Sequence, residues 1–286
     1  MANIKFFDLF AGIGGFRMGL ENTGHKPVGW CEYDKFAQES YKAIYNIEGE
    51  YFNEDARKIK PKELPDFDIL AAGFPCQSFS IAGKRKGFED TRGTLFFEIA
   101  RIARKKLPKI LLLENVKGLL NHSNGETFLK IIKTLDELGY DAEWQVLNSK
   151  DFSKEKRPTP QNRERLFIIG HLRGESTRKI FPFYRKIRGN IKYAHFDRTQ
   201  TYRVLETNGI SSCCTTSSTG GRQVQKLLTD DGFRQISPKE YWRLQGFPDW
   251  AFEKAAEINS DTQLYIQAGN SVTVNVIEAI GERLDD

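Results

Sequence analysis

Two residues with chemically useful side chains each follow a short apolar segment of the chain. Cys76 comes shortly after residues 67–72, and Glu114 comes directly after residues 110–113. Such runs are typical of buried strands, and in open α/β sheets ligands bind beyond the carboxyl ends of the strands. Neighbouring parallel strands end on the same side, so we expect both side chains to face one pocket. Cys76 could then be a nucleophile and Glu114 a proton donor, although Cys76 alone would equally fit an inert, buried thiol.

The composition narrows the class of protein. The chain has 286 residues, 39% of them hydrophobic, enough for one large domain or for a large and a small one. A net charge of +5 allows a polyanionic partner without requiring one. The four cysteines lack CxxC spacing and the four histidines do not cluster near them, which argues against a zinc site or disulfide framework and favours a reducing compartment. No apolar run approaches membrane-spanning length, and we expect no signal peptide.

The N-terminal segment has the pattern of a nucleotide-binding unit. Residues 4–10 predict a strand, residues 11–15 a glycine turn and the next residues a helix, so a ligand can approach the backbone at the helix N-terminus. The glycines do not follow GxGxxG, so a pyrophosphate is not the obvious ligand. Glu32 ends a second predicted strand, where it could bind ribose hydroxyls or simply precede a helix. Tyr33 could stack on a nucleobase or lie on the surface, and Asp55 is a candidate partner for an exocyclic amine.

Hydrophobic periodicity predicts most of the remaining elements. Further strands are predicted over residues 27–32, 142–147 and 165–169, and helices over 36–45, 94–102, 125–138, 238–244, 261–267 and 274–284. Residues 269–271 predict a polar break between the last two helices. The alternation before the last strand places Gln161, Arg163 and Arg165 on one side, where they could form a cationic row.

The hydrophobic periodicity of the sequence changes after residue 170. Between residues 171 and 233 regular periodicity fades, basic residues are frequent, and Ser and Thr cluster at 211–219. We therefore predict a first domain at 1–170, a small irregular domain at 171–233, and a C-terminal segment at 234–286. The composition of the small domain suits phosphate contacts, although a charge-rich surface segment would look the same.

Taken together, these motifs resemble those of the cytosine-C5 DNA methyltransferases. The matching segments, in family order, are Asp8-Leu9-Phe10-Ala11-Gly12-Ile13-Gly14-Gly15, Gly73-Phe74-Pro75-Cys76-Gln77, Glu114-Asn115-Val116, Gln161-Asn162-Arg163-Glu164-Arg165, Arg243-Leu244-Gln245-Gly246-Phe247-Pro248 and Gly269-Asn270-Ser271-Val272. The resemblance implies the S-adenosylmethionine-dependent methyltransferase fold of the α/β class: a mostly parallel, Rossmann-like sheet flanked by helices. It makes the small domain a target-recognition domain and packs the C-terminal segment back on the catalytic and cofactor-binding domain. Two features depart from the family: a longer, more charged segment at 153–160 and a short recognition domain.

The resemblance also implies the chemistry. Cys76 would add to C6 of a flipped-out cytosine, and Glu114 would protonate N3, so that C5 can take a methyl group from S-adenosyl-L-methionine. Arg165 would hold the O2 edge of the base and orient Glu114, with Arg163 supporting the loop. The expected cofactor-binding residues are Phe10, Gly12, Gly14, Glu32, Tyr33, Asp55, Pro75, Asn270 and Ser271. The expected DNA-binding residues are Gln77, Ser80, Lys84, Arg85 and Gln161.

These implications describe a monomeric, cytoplasmic modification enzyme of a prokaryotic or phage type. It would act on double-stranded DNA without a metal, and any cognate restriction endonuclease would act separately. Three alternatives stay open: the same chemistry on tRNA, a non-catalytic DNA-binding relative, and amino-group methylation. The set of Cys76, Glu114 and Arg165 argues against the second. The third is disfavoured because such enzymes have an acidic residue or Asn before Pro-Pro-aromatic, where this chain has Phe74-Pro75-Cys76-Gln77.

Overall fold

A seven-stranded sheet forms the centre of the protein. The computed structural model describes residues 4–74, 95–184, 193–195, 204–206, 209–215 and 225–284. The strands of the large sheet are β1 (Lys5–Leu9), β2 (Lys26–Cys31), β3 (Tyr51–Asn53), β4 (Ile69–Gly73), β5 (Ile110–Val116), β6 (Tyr140–Asn148) and β7 (Glu164–Leu172). Their order is β3-β2-β1-β4-β5-β7-β6, and β7 runs antiparallel to both of its neighbours while the other pairs are parallel. The predicted mostly parallel α/β fold is thereby confirmed.

Helices cover both faces of this sheet because its strands alternate their apolar side chains. In β1, Phe7 and Leu9 join a core with α3 and α4, whereas Phe6 joins a core with α1 and α8. The helices are α1 (Gly15–Glu21), α2 (Lys35–Ile44), α3 (Leu95–Lys106), α4 (Glu126–Glu137), α5 (Pro238–Leu244), α6 (Asp249–Ala256), α7 (Asp261–Asn270) and α8 (Val274–Gly281). Within the described residues, none of these helices is long and apolar enough to cross a membrane.

The C-terminal helices return to the N-terminal half of the chain. Helix α8 packs on α1 at Gly19, where an added Cβ would lie 2.5 Å from Ile277. Gln245, which is fully buried, holds the junction between α7 and α8. Its Nε2 donates to the Ala268 carbonyl (2.8 Å), its Oε1 accepts from the Thr273 hydroxyl (2.9 Å), and its main-chain oxygen accepts from the Val274 amide (2.9 Å). Gln245 therefore connects the C-terminal end of α7 to the N-terminal end of α8.

The charged segment at residues 153–160 is docked on α8. Glu278 is only 2% exposed, and its carboxylate pairs with Lys154 (2.6 Å) and with Arg157. Asn22 from the end of α1 donates to the same carboxylate. Two charged residues of this segment, Lys154 and Arg157, thus form ion pairs with a buried carboxylate.

A second, four-stranded sheet lies within the region that the sequence predicted to be irregular. Its strands are β8 (Tyr193–His195), β9 (Val204–Leu205), β10 (Lys226–Thr229) and β11 (Gly232–Gln235), in the order β11-β10-β9-β8. Leu205, Cys214 and Ile236 join a core with Tyr241 and Trp242 of α5, which attaches this sheet to the C-terminal helices. The prediction of an irregular region is therefore wrong for its described residues. The strands here have two to four residues each, which is too few for their sequence to show a period. The boundaries of the three predicted parts stay a prediction.

Candidate active site

A cavity of about 400 Å³ lies beyond the carboxyl ends of β1, β2, β4 and β5. Its wall is completed by residues that lead into β7 and by the C-terminal end of α7. Of the residues expected from the sequence, it is lined by Phe10, Gly12, Glu32, Tyr33, Glu114, Arg163, Arg165 and Asn270. The fold therefore brings the two halves of the predicted site together at one edge of the sheet.

Glu32 and Gly12 form one side of this cavity. The Glu32 carboxylate accepts hydrogen bonds from the amides of Gly12 (2.7 Å) and Asp34 (2.8 Å). Burial raises the pKa of Glu32, and these backbone donors offset part of the rise. Gly12 has a φ of +55° and nothing within 4 Å of the Cβ position, so the turn, and not crowding, requires glycine here.

The same side offers partners for a nucleoside. A carboxylate has about four acceptor sites, and the Gly12 and Asp34 amides use one on each oxygen, so Glu32 can still accept a hydrogen bond from a ribose hydroxyl. The ring of Tyr33 is 71% exposed at the cavity, and the Arg57 guanidinium lies 6.0 Å from its centre. The residues present therefore fit an adenosine group such as that of S-adenosylmethionine.

Glu114 and Arg165 form the other side. Arg165 Nε lies 3.2 Å from Glu114 Oε1, and the two side chains are only 17% and 14% exposed. Burial raises the pKa of Glu114, and the guanidinium groups of Arg165 and Arg163 offset part of that rise. A carboxyl group with a raised pKa keeps its proton to a higher pH than a free carboxylic acid does, and the adjacent Arg165 guanidinium orients it toward the cavity.

The chain that carries Cys76 leaves the sheet beside this pair. Gly73 pairs with Glu114 in the β4–β5 register, and a Cβ on Gly73 would lie 3.3 Å from Glu114 Oε2. Asn115 Nδ2 donates to the Phe74 carbonyl (2.8 Å) and so fixes the last described residue of this segment. The other expected residues of the segment, Pro75, Cys76, Gln77, Ser80, Lys84 and Arg85, lie outside the described residues.

Arg163 is buried and ties three segments together. Its Nη1 donates to the Cys214 carbonyl (2.9 Å), and its Nη2 donates to the carbonyls of Gly269 (3.0 Å) and Ser271 (2.8 Å). Burial, and then the neighbouring Arg165, lower its pKa. Arg163 thus joins the approach to β7, residues 211–215 and the end of α7 at the wall of the cavity.

The predicted cationic row is wrong for Gln161, whereas Arg163 and Arg165 both line the cavity. Gln161 is fully buried: its Nε2 donates to the Leu244 carbonyl (3.1 Å) and its Oε1 accepts from the Cys214 amide (2.9 Å). An amide with both ends bound inside the protein presents no group to DNA, so the assignment of Gln161 as a DNA contact is corrected to a structural link. The row was expected from strand alternation, but β7 begins only at Glu164.

Three expected cofactor residues are not among those that line the cavity. Gly14 (φ +79°) packs against Tyr45, which would lie 2.4 Å from an added Cβ and whose hydroxyl donates to the Gly14 carbonyl (2.8 Å). Asp55 accepts hydrogen bonds from the Arg57 side chain (2.8 Å) and backbone. Ser271 donates from Oγ to the Val272 carbonyl (3.1 Å). Asn270 does line the cavity, but it is the last residue of α7 and not part of a break.

Several lining residues were not assigned to the site from the sequence. Gly73, Phe74 and Asn115 belong to motifs that were recognised, so their position beside the assigned residues was a usable signal. Gln267 is buried in α7 and Ile266 is half-buried beside it, and nothing in their local sequence distinguishes them from core positions. The full set not assigned comprises Ile13, Asp34, Ala37, Gly73, Phe74, Leu95, Asn115, Val116, Ile266, Gln267 and Gly269.

Comparison with known proteins agrees with this geometry. The family model of the C-5 cytosine-specific DNA methylases matches residues 4–205 and 173–286. The chain is 38% identical to the type II methyltransferase M.Bsp6I of Bacillus sp. (strain RFL6) over 319 aligned residues, with 98% of each chain covered. It is 36% identical to the type II methyltransferase M.HhaI of Haemophilus parahaemolyticus over 322 aligned residues, with 98% of this chain and 94% of the relative covered.

Solved structures share the fold at lower identity. The Dnmt2 methyltransferase of S. pombe aligns with a TM-score of 0.72 at 19% identity, covering 96% of each chain. The Entamoeba histolytica methyltransferase EhMeth aligns with a TM-score of 0.73 at 18% identity, covering 99% of this chain and 98% of that one. From the family model and the curated relatives, this chain belongs to the C-5 cytosine-specific DNA methylases.

Proposed function

We propose that this C-5 cytosine-specific DNA methylase transfers a methyl group from S-adenosyl-L-methionine to C5 of a cytosine in double-stranded DNA. The observation that carries the proposal is the Glu114–Arg165 pair (3.2 Å) beside Gly73, three residues before Cys76. Glu32 lies across the same cavity, where a ribose could bind. One cavity can therefore hold a methyl donor at one side and a base at the other.

Each protein group has a role in this proposal. The Cys76 thiolate forms a bond to C6 of the base, and the electron pair of the C5–C6 double bond moves so that C5 becomes nucleophilic. Glu114 gives its proton to N3, which removes the charge that would build up there. Arg165 holds the O2 edge and keeps Glu114 oriented. After transfer, a base removes the C5 proton, the sulfur leaves C6 as a thiolate, and N3 returns its proton to Glu114, which restores the aromatic ring and both protein groups.

S-adenosyl-L-methionine would supply the electrophilic methyl group when bound. Glu32 would accept the ribose hydroxyls, Phe10 and Tyr33 would contact the adenine, and Gly12 would let the backbone approach. Because the target atom lies inside the duplex, the cytosine has to rotate out of the stack to reach the cavity.

We also propose that residues 171–233 choose the DNA sequence. The strands in this region form a sheet of their own, separate from the seven-stranded sheet that bears the cavity, which supports a separate role. Exchange of this region for that of a relative should change the methylated sequence and keep C5 as the methylated atom. An active chimera that still methylates the original site would contradict this role.

The function is tested by offering the purified full chain duplex DNA and tRNA with S-adenosyl-L-methionine. Methyl incorporation into DNA, located by bisulfite sequencing, is expected, with tRNA unmodified; the reverse result would assign the chemistry to RNA. A duplex with 5-fluorocytosine at the mapped site should become covalently linked to the protein, because the fluorine cannot leave. Cys76→Ala should abolish this link, whereas Cys31→Ala, the matched loss of a buried thiol, should retain it. A link that persists in Cys76→Ala would exclude Cys76 as the nucleophile.

A further inference from the structure

The Cys213 thiol lies between the two arginines of the active site. Its sulfur is 3.4 Å from Arg163 Nη1 and 3.8 Å from Arg165 Nη2. A guanidinium has donors and no acceptor, and a sulfur can accept, so both contacts run from arginine to Cys213. We propose that Cys213 is a positioning residue that holds Arg165 against Glu114. This inference rests on the proposed function, because it concerns the same catalytic pair.

The backbone around Cys213 is fixed on both sides, which gives the sulfur a defined place. The Ser211 amide donates to the Pro160 carbonyl (2.7 Å), and the Ser211 carbonyl accepts from the Asn162 amide (2.8 Å). On the other side, the Cys214 amide donates to Gln161 Oε1 (2.9 Å). Residues 211–215 are therefore pinned along the approach to β7, the segment that carries both arginines.

Arg163 and Arg165 depend on the sulfur to different degrees. Three main-chain carbonyls already hold Arg163. The described contacts of the Arg165 guanidinium are Glu114 Oε1 (3.2 Å), its neighbour's carbonyl at Glu164 (2.9 Å) and the Cys213 sulfur (3.8 Å). Glu114 contacts Nε and the Glu164 carbonyl contacts Nη1, so the sulfur is the described contact that restrains Nη2. Its loss should let Arg165 turn away from Glu114 and leave Arg163 in place.

The loss of Arg165 from its place beside Glu114 should change the pH dependence of the reaction. Among the described residues, Arg165 and Arg163 are the charged groups that act on the Glu114 carboxyl, and the Glu164 carboxylate is paired with Lys117 (2.8 Å). If Arg165 turns away, its positive charge no longer offsets the effect of burial on Glu114, and the pKa of Glu114 rises further. A rate that needs protonated Glu114 then persists to higher pH, so the alkaline limb of the pH profile shifts upward.

The test compares three substitutions in the full chain. Cys213→Val removes the acceptor without leaving a cavity, Cys213→Ser keeps an acceptor, and Ser212→Ala is the matched control one residue away. With duplex DNA, Cys213→Val should lower the single-turnover rate by about tenfold, which corresponds to one lost contact in the transition state. It should move the alkaline limb upward, with the Kd for S-adenosyl-L-methionine unchanged. Cys213→Ser should recover most of the rate, and Ser212→Ala should match the wild type.

The outcomes separate this inference from the proposed function. If Cys213→Val is folded, as judged by its thermal midpoint, and matches the wild type in rate and pH profile, the positioning role is overturned. The same holds if Cys213→Ser is as slow as Cys213→Val, because the acceptor would then not matter. In either case, a wild type that forms the 5-fluorocytosine link and a slow Glu114→Gln variant would leave the proposed function intact. A wild type that forms no link would remove the proposed function itself.

Discussion

Replacement of Arg163 by Met should cost much more stability than its position beside the catalytic pair suggests. The substitution keeps an unbranched side chain and removes the guanidinium, so the carbonyls of Cys214, Gly269 and Ser271 lose their donors. A buried polar group without a partner costs about 1–3 kcal/mol, which places the simple sum for three at roughly 3–9 kcal/mol.

Two effects reduce this sum. Burial of the Arg163 charge is itself unfavourable, and its Nε has no hydrogen-bond partner among the described residues, so removal of the group relieves a cost. Carbonyls at the end of α7 can also turn toward water in the cavity. We therefore expect a loss of about 3–5 kcal/mol in the free energy of unfolding, the range for a broken buried ionic group. For a domain with a total stability of roughly 5–15 kcal/mol, that is a large fraction.

The assay is urea unfolding followed by circular dichroism, with Arg165→Met as the matched control. Arg165 has one main-chain partner, at Glu164, and its ion-pair partner Glu114, whose pKa burial already raises, can take up a proton when the cation is lost, so Arg165→Met should lose less stability than Arg163→Met. The two variants should thus separate: stability falls most in Arg163→Met, and methyl transfer is lost in Arg165→Met with the smaller loss of stability. An Arg163→Met protein that unfolds within about 1 kcal/mol of the wild type would refute the interpretation of Arg163 as an internal tie.

Three further predictions follow from single contacts. Glu114→Gln cannot supply a proton to N3, so single-turnover methyl transfer should fall by about a hundredfold or more with little change in cofactor Kd; a near-normal rate at neutral pH would contradict this role. Asn115→Ala removes the 2.8 Å bond to the Phe74 carbonyl, and it should lower the rate of covalent 5-fluorocytosine linkage by about tenfold, measured against unchanged cofactor binding. For Glu278, burial raises the pKa, but Arg157 and Lys154 outweigh it and the net pKa is lowered, so its stabilisation is present above the ordinary pKa of 4.5 and is lost as the pH falls through the lower folded value. Glu278→Gln should therefore weaken the dependence of unfolding free energy on pH below about 4.5, and equal acid unfolding curves for variant and wild type would contradict it.

The strands and helices with strong periodicity could be predicted from the sequence, and the weak ones could not. Residues 110–113, predicted as a strand, form the first part of β5, and the predicted helix at 125–138 corresponds to α4 (Glu126–Glu137). Strand β3 (Tyr51–Asn53) was missed because it has only three residues and none of them is buried, so its sequence shows no apolar run. Helix α6 (Asp249–Ala256) was missed because Gly246 and Pro248 were interpreted as the end of the preceding helix, although Pro248 is also the residue from which α6 begins.

At the site, the order of the motifs predicted which strand ends lie side by side, but it did not predict which polar side chains are buried. Glu114 lies beside Gly73 because β4 and β5 are parallel neighbours, which the order of apolar runs and motifs indicated. Whether a polar side chain near that edge is free or covered depends on segments far away in the chain. Gln161 is covered by Cys214 and Leu244, which follow it by 53 and 83 residues. No local pattern contains that information.

The contrast between Arg163 and Arg165 shows how one motif can combine a scaffold with chemistry. Strand β7 begins at Glu164, so Arg165 lies within the sheet, opposite Val116 in the register, two residues beyond Glu114 on β5. Arg163 lies before the strand, where residues 211–215 and the end of α7 close over it. The same residue type therefore gives a buried tie at one position and a cavity side chain at the other. Cys213 contacts both guanidinium groups. A shift of residues 211–215 would therefore displace Arg165 before Arg163, because Arg165 has fewer carbonyl partners. The position of residues 211–215 and the orientation of Glu114 are in this way parts of one hydrogen-bonded arrangement.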